Sequence, residues 1–355
     1  MRDKGLAVLL AAAATAIALL GCEIVFRRFL AQRVVATTEE GFHEQIASSW
    51  PRPIPIERRE GRFRIVGLAD SFGRAGGFRN YHHLLEEKFQ AGGLAAEVIN
   101  ISAGAFEPAD ELLVLTRFGL RYRPDVVLHG FFVGNDFSTP QGTLVEYQGI
   151  LMRELPGMSS WLPHRLLVLK WMHHYAVAVL DELRKRLEAA DVGGPAFAVA
   201  ASTPEGLGTF SDAAFLRVER QRLEICRRRP AAAWLAEPVF PILDEIRRAT
   251  EQAGSRYVMV IHPDQLQVEE PLRERLTATF GVELGRDYDL DAPQRALLAY
   301  CDSRGIACLD LLPAFRAAGA SGGLYRLRDT HYSDAGNELA AAEIHRFLRA
   351  HELAP

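Results

Sequence analysis

Apolar residues fall into three patterns along this chain. The first is one long block: residues 5–22 carry no charge, and 12 of those 18 are Ala or Leu. The second is a set of short apolar runs at 63–68, 98–101, 126–132, 257–261 and 306–311. Each has the length and bounding residues of a buried strand. The third is helical spacing at 79–91, 108–120, 236–253 and 291–303. A last helix is predicted over 334–350, where Leu339, Ile344 and Leu348 stand among alanines. Strands alternating with helices predict an α/β fold with a parallel sheet covered on both faces.

The stretch 138–235 breaks the alternation. It holds a loop marked by Pro and Gly, a helical run near 164–190, a Gly-Gly-Pro break at 193–195 and a second helical run near 211–228. It reads as an insertion over one end of the sheet, a position suited to a lid or a substrate-contacting subdomain. The predicted organisation is a signal anchor at 1–26, a juxtamembrane linker at 27–60 and one α/β domain with its insertion at 61–355. Pro51, Pro53 and Pro55 stiffen the linker.

The N-terminal block admits three uses. With Ile24, Val25 and Phe26 it reaches the roughly 20 residues a spanning helix needs, and a retained membrane anchor is the favoured reading. A cleaved signal peptide is the second, although no Ala-x-Ala site follows the run. A lipoprotein signal is the third, since Leu19-Leu20-Gly21-Cys22 loosely matches a lipobox. Arg27, Arg28 and Arg33 outnumber Arg2 and Lys4, so charge alone does not argue for export of the body.

Composition changes this picture little. The chain has 355 residues, 48% apolar and 24% charged, as an ordinary globular protein does. A net charge of −4 argues against a general nucleic-acid binder. Residues 1–60 carry 8 basic and 7 acidic groups, so the body holds −5. Four cysteines form no disulfide framework. Cys301 and Cys308 are spaced either to face each other across a helix–strand loop or to lie buried and reduced.

In an open parallel sheet, ligands bind where strand carboxyl ends give out into loops. The first strand is followed by Ala69-Asp70-Ser71-Phe72-Gly73, the second by Ser102-Ala103-Gly104-Ala105, and the third by Val133-Gly134-Asn135-Asp136. Asp329-Thr330-His331-Tyr332 precedes the last helix. A hydroxyl, a base, an acid to orient the base and neutral donors are the inventory of nucleophilic acyl transfer. Each piece also has an ordinary structural use. Asp-Ser after a strand caps helices, Gly104 and Gly-Asn-Asp suit turns, and Asp329 and Ser333 suit the cap of the last helix. Their order and their common place at strand ends carry the functional reading.

Those blocks resemble the SGNH (GDSL-type) hydrolase family over residues 62–350. The resemblance implies a three-layer α/β/α, flavodoxin-like fold, with Ser71 as nucleophile, His331 as base and Asp329 as its orienting acid. It implies an oxyanion hole made by the N–H of Ser71, an N–H at Gly104 or Ala105, and the Asn135 side chain. Ala69 replaces the usual Gly of the first block. The usual register of the second block falls on Ala105, with Gly104 one residue early. Asp329 stands two residues before His331, where the family's usual spacing of three falls on Arg328. The two-residue spacing is similar to SGNH proteins that acetylate exported polysaccharides. The anchor, linker and domain order resembles membrane-anchored bacterial members, which implies a body outside the cytoplasm.

The expected activity is ester hydrolysis on an acylated carbohydrate or envelope component. O-acetyl transfer to an exported polysaccharide and non-catalytic binding are the alternatives. No cofactor, metal or nucleic-acid partner is expected; the partners expected are an acylated substrate and, through the N-terminal helix, the membrane. His82-His83 and His173-His174 lack the ligand spacing of a metal site. His129 reads as a core residue, and His262-Pro263-Asp264-Gln265, after the fourth strand, either lines the site or forms a structural turn.

Overall fold

A computed structural model describes residues 55–104, 106–137, 143–147, 150–154, 209–228, 239–319 and 322–355, with residues 14–15, 17–22 and 24 in helical conformation. Ala105, most of the 138–235 insertion, including the 164–190 run and His173-His174, and most of the linker lie outside them. So does most of the 1–26 segment expected to span a membrane. Among the described residues no helix is long and apolar enough to cross one.

Five parallel strands form the main sheet: β1 (Phe63–Leu68), β2 (Ala96–Asn100), β3 (Val126–Phe132), β6 (Arg256–His262) and β7 (Ala307–Asp310), in the order β2-β1-β3-β6-β7. This is a doubly wound order in which the chain reverses direction between β1 and β3. Every residue of β1 and β3 is buried, which explains why both read as unbroken apolar runs rather than as alternations. Chain segments 1–45 and 141–188 cluster as a separate compact unit. Its described sheet is the antiparallel hairpin β4 (Thr143–Tyr147) and β5 (Ile150–Glu154).

Helices cover both faces of the main sheet. On one, α1 (Tyr81–Ala91) and α8 (Asp334–Ala350) pack through Leu84, Leu85, Phe89, Ile344 and Leu348 onto Ile65, Val98, Leu128 and Val260. On the other lie α2 (Pro108–Arg117), α4 (Phe240–Gln252) and α6 (Ala292–Ser303). Between these come α3 (Asp212–Arg222), α5 (Glu270–Phe280) and α7 (Leu312–Gly319). Helix α5 has Pro271 in its first turn and Gly281 at φ 63° just past its end, the usual start and stop signals.

Two glycines let polar side chains into the sheet face under α1. A Cβ on Gly67 would lie 2.3 Å from His82 Nε2, and one on Gly130 would lie 2.7 Å from His262 Nε2. Burial pushes both imidazoles down to about 3, so they are neutral. On the opposite face His129 is indeed a core residue, bonded to Glu111 Oε2 at 2.7 Å and to the Tyr257 hydroxyl at 2.6 Å. At the N-terminal end of the sheet, buried Arg64 bonds Glu97 and the carbonyls of Pro55, Ile56, Glu57 and Tyr122. Residues 55–57 are thereby fastened to the sheet. Cys226, Cys301 and Cys308 are free thiols, with Cys301 Sγ 3.6 Å from Met259 Sδ.

Candidate active site

β1 delivers the first block. Its last residue is followed by Ala69 and Asp70, and the chain then turns into a short 3-10 helix, Ser71–Gly73. The Asp70 carboxylate caps that turn, accepting from Phe72 N at 2.8 Å and from Asn135 Nδ2 at 3.0 Å. Two amides brace the turn from outside. Asn80 Nδ2 donates to Phe72 O at 2.9 Å and Ala75 O at 2.7 Å, and Asn100 Nδ2 donates to Gly73 O at 2.6 Å. Ser71 is half-buried, and its hydroxyl donates to Asp70 Oδ2 at 3.5 Å. That is the outer limit of a hydrogen bond.

The third block follows β3. Asp136 Oδ2 accepts from Phe132 N at 2.7 Å, closing the loop that presents Asn135. Burial raises the Asp136 pKa well above the ordinary carboxylate value, and the nearby Asp70 and Glu111 charges raise it further. A Cβ on Gly134 would collide with the Phe132 ring and with Asp264 Oδ2 at 2.5 Å. The glycine of this block is therefore required by close approach. In the second block, Gly104 is exposed, with open space where a side chain would stand.

The last block meets the first through aromatic rings. The Phe72 ring lies 5.4 Å from the His331 imidazole and 4.9 Å from Tyr332, and stacks on Phe132 at 4.0 Å. His331 Nδ1 bonds Asp329 Oδ1 at 2.6 Å, and the His331 backbone N–H donates to the same oxygen at 3.2 Å. Thr209 donates to Asp329 Oδ2 at 2.6 Å. Burial works to raise the Asp329 pKa, but the His331 hydrogen bond and charge, with the Thr209 hydroxyl, outweigh it and hold the group ionised. Tyr332 anchors this loop in the core, with its hydroxyl 3.2 Å from His262 Nδ1. Ser333 caps α8 by accepting from Gly336 N at 3.2 Å.

The structure thus gathers Ser71, Asn135, Asp329 and His331 at the carboxyl end of the sheet. The aspartate two residues before His331 does meet the imidazole. An Asp–His pair is equipped to take a proton from a serine hydroxyl, and Asn135 to donate to an oxyanion; here the Ser71 hydroxyl is bonded to Asp70. Three contributors carry no signal of a role in the sequence. Asp70 looks like an ordinary cap, and Asp136 like a turn residue. Thr209 lies 120 positions from its partner Asp329, inside the predicted insertion. Among the described residues no group of three His, Cys, Asp or Glu side chains is arranged to hold a metal.

Residues 227–355 match the family model described as the SGNH hydrolase-like domain of the acetyltransferase AlgX. The match includes Asp329 and His331. Over that C-terminal stretch the chain is similar to an SGNH hydrolase-like domain. Solved structures similar to it include the acetyl xylan esterase AlAXEase, at 14% identity and a TM-score of 0.42 over 79% of this chain and 98% of that one. A lipase/acylhydrolase from Enterococcus faecalis shares 12% identity at 0.40, over 81% and 96%. TesA shares 13% at 0.40, over 81% and 98%. No curated protein matches the chain. The family match reaches Asp329 and His331 but not Ser71 or Asn135, whose placement rests on the geometry above.

Proposed function

We propose that this protein is a serine esterase that acts on an acylated carbohydrate or cell-envelope ester. It would work outside the cytoplasm, held to the membrane through residues 1–26. The observation that carries the reading is the convergence of an ionised, imidazole-bonded Asp329 and a strand-end Ser71 beside the Phe72 ring.

In this mechanism His331 removes the Ser71 proton as the hydroxyl oxygen attacks the ester carbonyl. Asp329 stabilises the imidazolium that forms. The Asn135 amide and the Ser71 N–H stabilise the oxyanion, with an N–H at 104 or 105 as third donor. The tetrahedral intermediate collapses, His331 protonates the leaving alcohol, and the acyl group stays on Ser71. Water, deprotonated by His331, then releases it as a carboxylic acid.

A second reading keeps the first half-reaction and replaces water by a sugar hydroxyl. The match to the AlgX acetyltransferase domain favours it. Hydrolysis of p-nitrophenyl acetate by the full-length chain, with Ser71→Ala as control, tests the shared chemistry. Turnover that survives Ser71→Ala contradicts both readings. Transfer to added saccharide that outruns hydrolysis selects the second.

A further inference from the structure

The two oxygens of Asp329 have different partners. Oδ1 receives both His331 N–H groups, the ring nitrogen at 2.6 Å and the backbone at 3.2 Å. Oδ2 receives the Thr209 hydroxyl at 2.6 Å. Phe210 N donates to Arg328 O at 3.0 Å. One dipeptide therefore grips two consecutive residues, by side chain and by backbone. Directly after it, Ser211 caps α3 by accepting from Ala214 N at 3.3 Å, so the grip is tied to a helix start. Arg328 stands at φ 47°, a conformation few non-glycine residues adopt.

The need for such a grip follows from the torsions. The last torsion of an aspartate is soft, with a broad two-fold preference rather than three sharp wells. Within the tight turn the His331 backbone N–H holds only Oδ1 of Asp329, so the second oxygen is left to a partner from outside the turn. A hydroxyl fixed on Oδ2 sets the carboxylate plane and leaves Oδ1 facing the imidazole.

We propose that Thr209 is a positioning residue that orients the Asp329 carboxylate toward His331. The segment returning from the insertion thereby supplies part of the acyl-transfer machinery. The inference rests on the reading of Ser71, His331 and Asp329 as the reacting set, and deepens it.

The test compares full-length wild type with Thr209→Val, Thr209→Ala and Thr209→Ser. The readouts are the rate of fluorophosphonate labelling and the downfield proton resonance of His331 Nδ1–H, assigned by its loss in His331→Ala. Valine keeps the shape and removes the donor. Labelling is expected to slow about tenfold in Thr209→Val and Thr209→Ala, the size of one hydrogen bond to a charged group. The His331 resonance is expected to shift upfield or broaden in both variants, and Thr209→Ser to restore both readouts. Unchanged labelling with an unchanged resonance in Thr209→Val overturns the proposal. So does an equal loss in Thr209→Ser with the resonance in place, since that is a packing effect. The underlying function fails separately, if wild type shows no Ser71-dependent labelling; the resonance still reports on Thr209 in that case.

Discussion

Asp70 and Asp329 are both buried aspartates within reach of His331, and their surroundings act in opposite directions. Burial dominates at Asp70 and raises its pKa, although Phe72 N–H, Asn135, His331 and Arg222 all oppose it. At Asp329 the same burial penalty is outweighed by His331 and Thr209, and the pKa falls. Two like carboxyls acquire opposite pKa shifts from environment alone. In the proposed mechanism Asp70 is a brace, whose geometry matters more than its charge, and Asp329 is a counter-ion, whose charge stabilises the imidazolium.

The sharpest way to break this comparison is to neutralise each group in turn. Asp329→Asn is expected to lower kcat/KM by on the order of 10³–10⁴, because the imidazole loses both its orientation and its counter-charge. Asp70→Asn still accepts from Phe72 N–H and is expected to cost about tenfold, the scale of one disturbed hydrogen bond. Equal losses in ester-hydrolysis kinetics would remove the distinction.

Next in size is Asn135→Ala. It deletes the donor that Asp70 orients, and an oxyanion donor is worth about 10²–10³ in rate. The loss is expected in kcat with KM little changed. A loss confined to KM would make Asn135 a ground-state binding residue instead.

The smallest effect concerns stability. Asp136 has a raised pKa, so the native state holds its proton more tightly than the unfolded chain does. The stability it supplies is complete below the ordinary carboxylate range and is lost as pH rises through its native value. Asp329, with a lowered pKa, supplies stability that is present above its unfolded value and lost as pH falls through its native value. In denaturant unfolding followed across pH, Asp136→Asn is expected to flatten the decline toward neutral pH. Asp329→Asn is expected to flatten the decline toward acid.

Much of the frame around these two aspartates is legible in the sequence. The predicted 63–68, 126–132 and 334–350 elements match β1, β3 and α8 end to end. The other strands shift by one or two residues at their ends. Ser71, Asn135, Asp329 and His331 are marked by their places after strands and before the last helix. Other parts are hidden for physical reasons. The hairpin β4–β5 falls where the sequence predicts a loop, because five-residue strands with mixed polarity give a weak alternation signal. Helix α5 buries only Leu272 and Leu276, too little apolar periodicity to stand out, although Pro271 and Gly281 mark its ends. Nothing local distinguishes Thr209 as a threonine that will meet an aspartate 120 residues later. The role of Asp70 is hidden because a turn cap and a catalytic-turn brace look alike in sequence.

The central claim is that Ser71 is a nucleophile activated by the Asp329-bound His331. Fluorophosphonate labelling of the full-length chain, read by intact mass and peptide mapping, tests it most directly. The expected result is one adduct, on Ser71, absent in Ser71→Ala and slowed on the order of 10³-fold or more in His331→Ala. An adduct on another residue, or a labelling rate indifferent to His331→Ala, would contradict it.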